Sequence, residues 1–512
     1  MSAARVVLAS LWVLAAGCAP PGRNLVADSE MRDLDQFWTI AGRAHVYPGL
    51  GPQGSALVYI PGNGEATGYR SSASFFALLE PGKTYTLSAY LDATGFLGTP
   101  PFVTLGPVNG TWGGISIYQT TKGTVSKTFT IPADSGTTLV RGTFDAENGL
   151  YPTGRGAEFS QPQIEEGATA HPYVPGAGGL LGQPPPGGNL VADSDLRVDK
   201  GSWDLSGRMR LVPDGARDGA REVEYDGDGK PSGFDDQAAF LAPVSPGTTY
   251  TFSMFMDGSA HIGTPPYVFL QAVDGSWAGA SAYQPERGRV FVTFTLPPTS
   301  ETTMIRVMTS PQNGIYPRGA RFVAKEPQLA ASSLPQAYVP GGEDALPRPD
   351  GGNAVIDSRM RSPASWRVAG TMRVENGSAV YDGTGGPSGY GNFAAFYARV
   401  DPGSTYTFSA FIDAAAHSGT PSYVFLSAVD GSWHGARVYQ RGSGRIFTSF
   451  TIPAGARTTC IQGVVTPQNG TYPVGSRMTF AQPEIALGAA PSRYVGSSAG
   501  SAVPPHAASP CG

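Results

Sequence analysis

The chain has 512 residues, of which 40% are hydrophobic and 10% aromatic, and its formal net charge is −5. This length predicts two or more domains with packed cores, and 69 glycines with 45 prolines stay below the content of a low-complexity chain. The acidic balance argues against nucleic-acid binding through phosphates, and 3 cysteines with 6 histidines argue against a zinc cluster or a disulfide scaffold.

Residues 1–17 have the pattern of a signal peptide. A lone positive charge precedes the apolar run Val6 to Ala16, which is too short to span a membrane as a helix. Small residues then lead to Cys18, and this stretch resembles the lipobox of bacterial lipoproteins. The resemblance implies cleavage before Cys18 and its lipidation, with a tether over 18–23. The alternative is an ordinary secretory peptide cut near Ala16 or Gly17.

One unit recurs three times along the rest of the chain. Its opening Asn-Leu-Val-Ala-Asp-Ser stands at Asn24 and Asn189 and returns as Asn-Ala-Val-Ile-Asp-Ser at Asn353. Gly-Thr-Pro, a Trp after a tight turn, Tyr-Gln and Asn-Gly-x-Tyr-Pro follow in the same order in every copy. We therefore predict three tandem domains, the first, second and third repeats. They cover residues 24–176, 189–341 and 353–496, with Pro-rich spacers at 177–188 and 342–352 and a flexible tail at 497–512.

Each repeat is predicted to be a β-sandwich, so the fold class is all-β. Helical periodicity is absent, and short alternating runs are bounded by Pro and Gly. After Pro-Gly-x-x-Tyr, one strand alternates an apolar set with a more polar set. In the first repeat these sets are Tyr85, Leu87, Ala89, Leu91 and Thr86, Ser88, Tyr90, Asp92. We expect the apolar set to face the core and the other set to form an outer face.

A hairpin follows that strand in every repeat. Its turn is Asn109-Gly110, Asp274-Gly275 or Asp430-Gly431. On its second arm a Trp and a Tyr stand six residues apart and are predicted to share the outer face. An Asp at the preceding strand end and an Arg or Gln on a later strand complete the predicted ligand site. Its residues are Trp112, Tyr118, Asp92 and Arg141; Trp277, Tyr283, Asp257 and Arg306; and Trp433, Tyr439, Asp413 and Gln462.

These residue types suit a carbohydrate. An aromatic ring matches the apolar face of a sugar, and Asp, Arg and Gln bind its hydroxyl groups. The alternatives are that the Trp anchors the hairpin by packing and that the Asp caps a loop. Core positions are expected for Trp38, Trp203 and Trp366 and for Phe129, Phe294 and Phe450.

Several motifs resemble the galactose-binding-like jelly rolls, in particular family 4/9-type carbohydrate-binding modules. They are the opening motif at Asn24 with Trp38 after it, Pro402-Gly-Ser-Thr-Tyr-Thr-Phe-Ser-Ala-Phe, Phe450-Thr-Ile-Pro, and Gln161-Pro-Gln-Ile-Glu-Glu-Gly with Tyr173 after it. The resemblance implies jelly-roll sandwiches that bind glycans. It also implies a structural calcium ion at Asp28-Ser-Glu30 and Asp193-Ser-Asp195, whereas Arg359 breaks this pattern in the third repeat.

No catalytic signature is present in the sequence. It lacks a Gly-x-Ser-x-Gly elbow, a phosphate loop and a His-Glu-x-x-His motif, and the Asp of the predicted site has no repeated carboxylate partner. We therefore expect a protein that is not an enzyme and needs no cofactor. Once Cys18 carries lipid, Cys460 and Cys511 remain, and we predict that they form a disulfide.

The sequence thus predicts a lipid-anchored glycan-binding lipoprotein of the bacterial cell envelope. Its expected partners are a polysaccharide and, through the lipid, a membrane, with no nucleic acid, and the chain is expected to be a monomer. Three modules on one chain would add avidity. A structural or adhesive protein whose sandwiches act as spacers or bind protein is the first alternative. A small-molecule-binding subunit of a transporter is the second.

Overall fold

The computed structural model describes residues 23–67, 71–146, 148–176, 188–349, 352–361, 365–433 and 435–497. The signal peptide, Cys18 and Cys511 lie outside the described residues. Over the described ranges the chain is almost entirely β, with short antiparallel strands arranged in β-sandwiches. The predicted all-β class is therefore confirmed.

The first repeat contains one helical turn, α1 (Leu34–Phe37), a 3₁₀ turn at Pro52–Gly54 and ten strands. The strands are β1 (Trp38–Ala41), β2 (His45–Tyr47), β3 (Leu57–Pro61), β4 (Ser72–Leu78), β5 (Thr84–Asp92), β6 (Phe102–Pro107), β7 (Ile115–Tyr118), β8 (Lys122–Thr130), β9 (Leu139–Asp145) and β10 (Gly156–Glu166).

The second and third repeats contain the same succession of ten strands, with a 3₁₀ turn at Glu343–Ala345 between them. In the second repeat they are β11 (Trp203–Ser206), β12 (Met209–Pro213), β13 (Arg221–Asp226), β14 (Gln237–Pro243), β15 (Thr249–Asp257), β16 (Tyr267–Ala272), β17 (Ala280–Tyr283), β18 (Arg287–Thr295), β19 (Met304–Ser310) and β20 (Arg321–Ala330). In the third they are β21 (Arg367–Ala369), β22 (Arg373–Glu375), β23 (Ser378–Asp382), β24 (Phe393–Arg399), β25 (Thr405–Asp413), β26 (Ser422–Ala428), β27 (Arg437–Gln440), β28 (Ser443–Thr451), β29 (Cys460–Thr466) and β30 (Arg477–Leu487).

Two kinds of sheet build each repeat. The long-strand sheet has the order β2, β3, β10, β5, β8 in the first repeat, and its equivalents are β12, β13, β20, β15, β18 and β22, β23, β30, β25, β28. The hairpin sheet contains β4, β9, β6, β7 in the first repeat, and its equivalents are β14, β19, β16, β17 and β24, β29, β26, β27. In the second and third repeats the first strand of the repeat, β11 or β21, pairs beside β14 or β24. Apolar side chains from both kinds of sheet fill the core of each repeat.

The chain divides into two compact units. The first consists of Met1–Arg32 and Arg43–Leu180, and the second of Asp33–Gly42 and Leu181–Gly512. The second unit therefore holds both the second and the third repeat. Within it β11 pairs with β28, so the hairpin sheet of the second repeat continues into the long-strand sheet of the third.

The predicted core positions are confirmed. Tyr85, Leu87, Ala89 and Leu91 are buried, as are their counterparts in the other repeats. The three early tryptophans and the three phenylalanines expected in the core are also buried, namely Trp38, Trp203, Trp366, Phe129, Phe294 and Phe450.

The expected outer face of the long-strand sheet requires a correction, because most of it is buried. A closing segment of non-regular chain after the last strand of each repeat runs across this face. The Thr86 hydroxyl donates a hydrogen bond to the Gly167 carbonyl at 2.9 Å. Thr251 and Thr407 donate the equivalent bonds at 2.9 Å. The polar set therefore satisfies the backbone of the closing segment instead of meeting water.

Candidate functional site

The predicted site residues do not form one face, because they belong to two sheets and to a loop. The three aspartates end strands of the long-strand sheet, whereas the three tyrosines and the Arg or Gln residues lie in the hairpin sheet. The three tryptophans stand in the hairpin loop just before β7, β17 and β27.

The aspartates cap the loop that follows their strand. Asp92 Oδ1 accepts a hydrogen bond from the Thr94 backbone N–H at 2.9 Å, and Lys122 Nζ lies 2.9 Å from Asp92 Oδ2. Burial acts to raise the pKa of Asp92, but the hydrogen bonds from Thr94 and Lys122 outweigh burial and hold this pKa below its usual value. Asp257 and Asp413 accept the same kind of backbone bond, at 3.1 and 3.3 Å. These hydrogen bonds agree with the alternative that each Asp caps the loop after its strand.

The tryptophans pack against the core edge instead of sharing a side with the tyrosines. Each ring is half-buried and lies against a buried phenylalanine of the long-strand sheet. The ring centroids are 5.2 Å apart for Trp112 and Phe129, 4.7 Å for Trp277 and Phe294, and 5.2 Å for Trp433 and Phe450. The expectation that the tryptophans share the outer face with the tyrosines is therefore corrected, because their rings cover the edge of the core. A large ring at the open end of a sandwich removes more apolar area from water by covering the core than by projecting into solvent.

The tyrosines do face water. Tyr118, Tyr283 and Tyr439 are 52%, 54% and 46% exposed. Each lies directly opposite an aromatic residue on the first arm of the hairpin and stacks on it. The pairs are Tyr118 with Phe102 at 5.2 Å, Tyr283 with Tyr267 at 6.0 Å, and Tyr439 with Tyr423 at 5.6 Å between centroids. We call these three stacked pairs the aromatic pairs.

The Arg and Gln residues share the sheet face of the aromatic pairs. In the second repeat Arg306 lies opposite Gln271, four residues along β16 from Tyr267. Alternation places Tyr267 and Gln271 on one face, about 13 Å apart along the strand. Arg306 Nη2 lies 2.8 Å from Asp204 Oδ2, which orients the guanidinium group.

The equivalent positions differ in chemistry between repeats. Gln462 lies opposite Ser427, and its Nε2 donates to the Tyr397 hydroxyl at 3.4 Å. Arg141 lies opposite Gly106 and is half-buried. Each hairpin sheet thus presents an aromatic pair and, about 13 Å farther along the strand on the same face, a half-buried polar side chain. This arrangement can stack on a planar apolar surface and hydrogen-bond its polar rim.

The first-arm aromatics were missing from the predicted site, although the sequence carried a signal for them. They are Phe102, Tyr267 and Tyr423. The Asn-Gly or Asp-Gly turn indicates a hairpin, and counting outward from it brings these positions near the tyrosines of the second arm. The register itself depends on loop length, and here the loop is uneven, with one residue before the turn and four or five after it.

The acidic residues after the opening Asn do not fit the calcium ion implied by the resemblance. The Asp195 carboxylate accepts a hydrogen bond from the Tyr338 hydroxyl at 2.7 Å, and Arg197 Nε and Arg217 Nη1 lie 2.9 and 3.0 Å from its oxygens. In the first repeat Glu30 accepts a hydrogen bond from the Tyr173 hydroxyl. Within the described ranges no group of three His, Cys, Asp or Glu side chains is placed to hold a metal ion.

Cys460 is buried and disulfide-bonded. Its predicted partner Cys511 lies outside the described residues, so the pairing stays a prediction. In the part of the chain that the structure describes, no helix has both the length and the apolar character needed to cross a bilayer.

No protein-family model matches the chain, and no curated protein matches it. Several solved structures are similar. The tandem CBM22-1–CBM22-2 domain of Xyn10C from Paenibacillus barcinonensis has 14% identity and a TM-score of 0.22, over 62% of this chain and 100% of that one. A carbohydrate-binding module described as CBM4 has 16% identity and a TM-score of 0.21, over 27% and 99%.

An enzyme is among the similar structures as well. A cyclase from Fischerella sp. TAU has 17% identity and a TM-score of 0.19, over 26% of this chain and 75% of that one. Identities and TM-scores this low carry no argument about the ligand of this chain.

Proposed function

We propose that this chain is a non-catalytic protein that binds carbohydrate through the aromatic pairs of its hairpin sheets. The observation that carries the proposal is the recurrence of a stacked, half-exposed aromatic pair at the same place in all three repeats. A large aromatic side chain kept half in water in every copy is better explained by a ligand than by packing.

The chemistry of the face suits a sugar chain. The exposed ring offers a flat apolar surface to the C–H face of a pyranose. Gln271 and Arg306, about 13 Å away along the strand, are placed to bind hydroxyl groups of a sugar unit farther along the same chain. The distance favours a short stretch of polysaccharide over a monosaccharide.

The test removes the exposed ring from every repeat of the full chain. We expect the triple variant Tyr118→Ala, Tyr283→Ala, Tyr439→Ala to lose its retardation in gels that contain soluble xylan, galactan or mixed-linkage glucan. Each lost ring weakens its own site by about two- to tenfold, and the losses compound where several sites engage one polymer. The melting temperature should stay nearly unchanged, because these rings are half exposed.

Tyr47→Ala is the matched control. Tyr47 is 40% exposed, and its ring centroid lies 6.5 Å from that of Tyr59. It belongs to the long-strand sheet and not to a hairpin sheet. We expect this variant to be retarded like the unaltered chain. Trp277→Ala should instead cost about 2 kcal/mol of stability, because the ring covers Phe294. Retardation that survives the triple variant would contradict the proposal.

Anchoring and location belong to the same proposal. The stretch before Cys18 supports a lipid anchor in the bacterial cell envelope, with the three repeats held beyond it. A structural or adhesive role is the second candidate. The sheet shared by the second and third repeats favours it, because such a sheet makes a stiff element.

A further inference from the structure

Two edge strands of the second unit each receive an added strand in the same register. In one junction β11 pairs with β28, with Asp204 opposite Gly444 and Leu205 opposite Ser443. In the other β1 pairs with β18, with Thr39 opposite Gly288 and Ile40 opposite Arg287. The added strand is the Trp-led first strand of a repeat both times. Its acceptor is the eighth strand of the following repeat.

A glycine makes room for the added strand. Gly444 and Gly288 both have φ of +154°, and neither has space for a side chain. A Cβ on Gly444 would lie 2.3 Å from the Asp204 Cα, and one on Gly288 would lie 2.5 Å from the Thr39 Oγ1. The junction therefore needs glycine at this position for both conformation and space.

Among the described residues, neither β8, the eighth strand of the first repeat, nor β21, the first strand of the third, has such a partner. Gly123 of β8 has φ of +150°, and no described atom lies within 4 Å of the place of its Cβ. β8 is the last strand of its sheet. Its residues 123–125 are partly or fully exposed, whereas the equivalent residues 288–290 of β18 and 444–446 of β28 are buried. β21 is likewise the last strand of its sheet. Val368 of β21 is 37% exposed, whereas its counterpart Leu205 is 3% exposed.

We propose that β21 of one molecule adds to β8 of a second copy of this chain. Arg367 then lies opposite Gly123 and Val368 opposite Lys122, the register of both internal junctions. The contact pairs free backbone groups on two sheet edges and buries Val368. It is head-to-tail, so it produces open chains or rings instead of a closed dimer. This proposal replaces the expectation of a monomer.

Charge makes this contact weaker than the internal junctions. Those junctions contain acid–base pairs, with Arg287 Nη2 2.8 Å from Asp35 Oδ1 and Arg441 Nη1 2.7 Å from Asp235 Oδ2. The proposed contact brings Arg367 beside Lys122, and a lysine on an edge strand discourages pairing. Association should therefore increase with ionic strength, because salt screens this repulsion.

The first test is site-directed crosslinking of the full chain. Val368→Cys and Lys122→Cys are made in separate molecules, one with a size tag, and mixed under mild oxidation. Residues directly opposite on antiparallel strands are within reach of a disulfide. We expect a mixed dimer at low and at high salt, because Lys122→Cys removes the repulsion between Arg367 and Lys122 from this contact. Leu205→Cys with Ser443→Cys in one chain is the positive control, because this pair already lies in the same register.

The second test is sedimentation of a variant that repairs the charge. Arg367→Asp places an acid where β11 carries Asp204 and should tighten association by about two- to fivefold. Arg399→Asp makes the same charge change elsewhere in the third repeat and should not. The proposal is overturned if the control pair crosslinks while the mixed dimer is absent at every salt concentration. It is also overturned if both arginine variants change association equally.

Discussion

A buried amide or carboxylate near the end of each repeat holds the closing segment by the same backbone contact. Gln163 Oε1 accepts a hydrogen bond from the Val174 N–H at 2.8 Å, and Gln328 Oε1 accepts the equivalent bond at 2.7 Å. In the third repeat Glu484 Oε1 does so at 3.0 Å. Burial raises the pKa of Glu484, and Arg445 together with hydrogen bonds to the carboxylate offsets only part of that rise.

The buried carboxylate stands at different positions in the second and third repeats. In the third repeat it lies two residues farther along the last strand than in the second. In the second repeat Arg289 Nη1 lies 2.9 Å from Glu326 Oε2, and the neighbouring position is Gln328. In the third repeat Arg445 Nη1 donates to Gln482 Oε1 at 3.3 Å, and the carboxylate is that of Glu484. Both arginines are buried, so each needs a carboxylate nearby.

This exchange predicts a compensating double substitution. Glu484→Gln should cost about 3 kcal/mol, because it removes the carboxylate beside the buried Arg445 guanidinium. Gln482→Glu added to it recreates the second repeat's arrangement and should restore most of the stability. Urea unfolding of the unaltered chain, the single variant and the double variant measures their free energies of unfolding. Equal stability of the single and double variants would contradict the prediction, because a carboxylate at position 482 would then fail to replace the one at position 484.

At the scale of elements, the first strand of a repeat has a second use. β11 pairs with β14 inside its own repeat and with β28 of the next. Alternation in four residues predicted that Trp203 is in the core. It did not show that the other edge of the same strand is occupied as well.

Matched glycines test this junction. Gly444→Ala should cost about 1–3 kcal/mol more than Gly123→Ala, because both positions share the strained φ but only a Cβ on Gly444 would collide with the added strand β11. Chemical unfolding of the two full-length variants gives the difference. Equal costs would mean that strain alone requires glycine at this position.

At the scale of the whole molecule, the second unit contains two repeats with an interlocked core. Phe411 of the third repeat is buried in the core cluster of the second, and its ring meets the edge of Trp203 at 5.5 Å. The joint between these repeats also packs, since Leu346 is buried with Ala192, Leu241 and Met304. The expected semi-rigid spacer at 342–352 is therefore, where described, part of a packed interface.

We predict that the second and third repeats unfold in one calorimetric transition of the full chain. Phe411→Ala should lower that transition by several degrees, because it leaves a cavity at the junction. Tyr90→Ala alters the equivalent half-buried ring of the first unit and should have a much smaller effect. Separate transitions for the second and third repeats would contradict the prediction.

The sequence by itself determined the all-β class, the recurrence of the unit and the side chains that fill the core. Strand alternation carries this information locally, because successive residues point to opposite sides of a sheet. It placed Leu87 and Leu91 correctly, and it identified Tyr118, Tyr283 and Tyr439 as residues on an outer side.

Only the tertiary structure decided what covers each outer side. The polar set that contains Thr86 and Ser88 meets the closing segment, Trp277 turns onto Phe294, and Asp92 binds a loop. Each of these contacts joins residues that are far apart along the chain or depends on a loop conformation. A period of two residues assigns a side chain to a side of the sheet, but it contains no information about the segment that packs there.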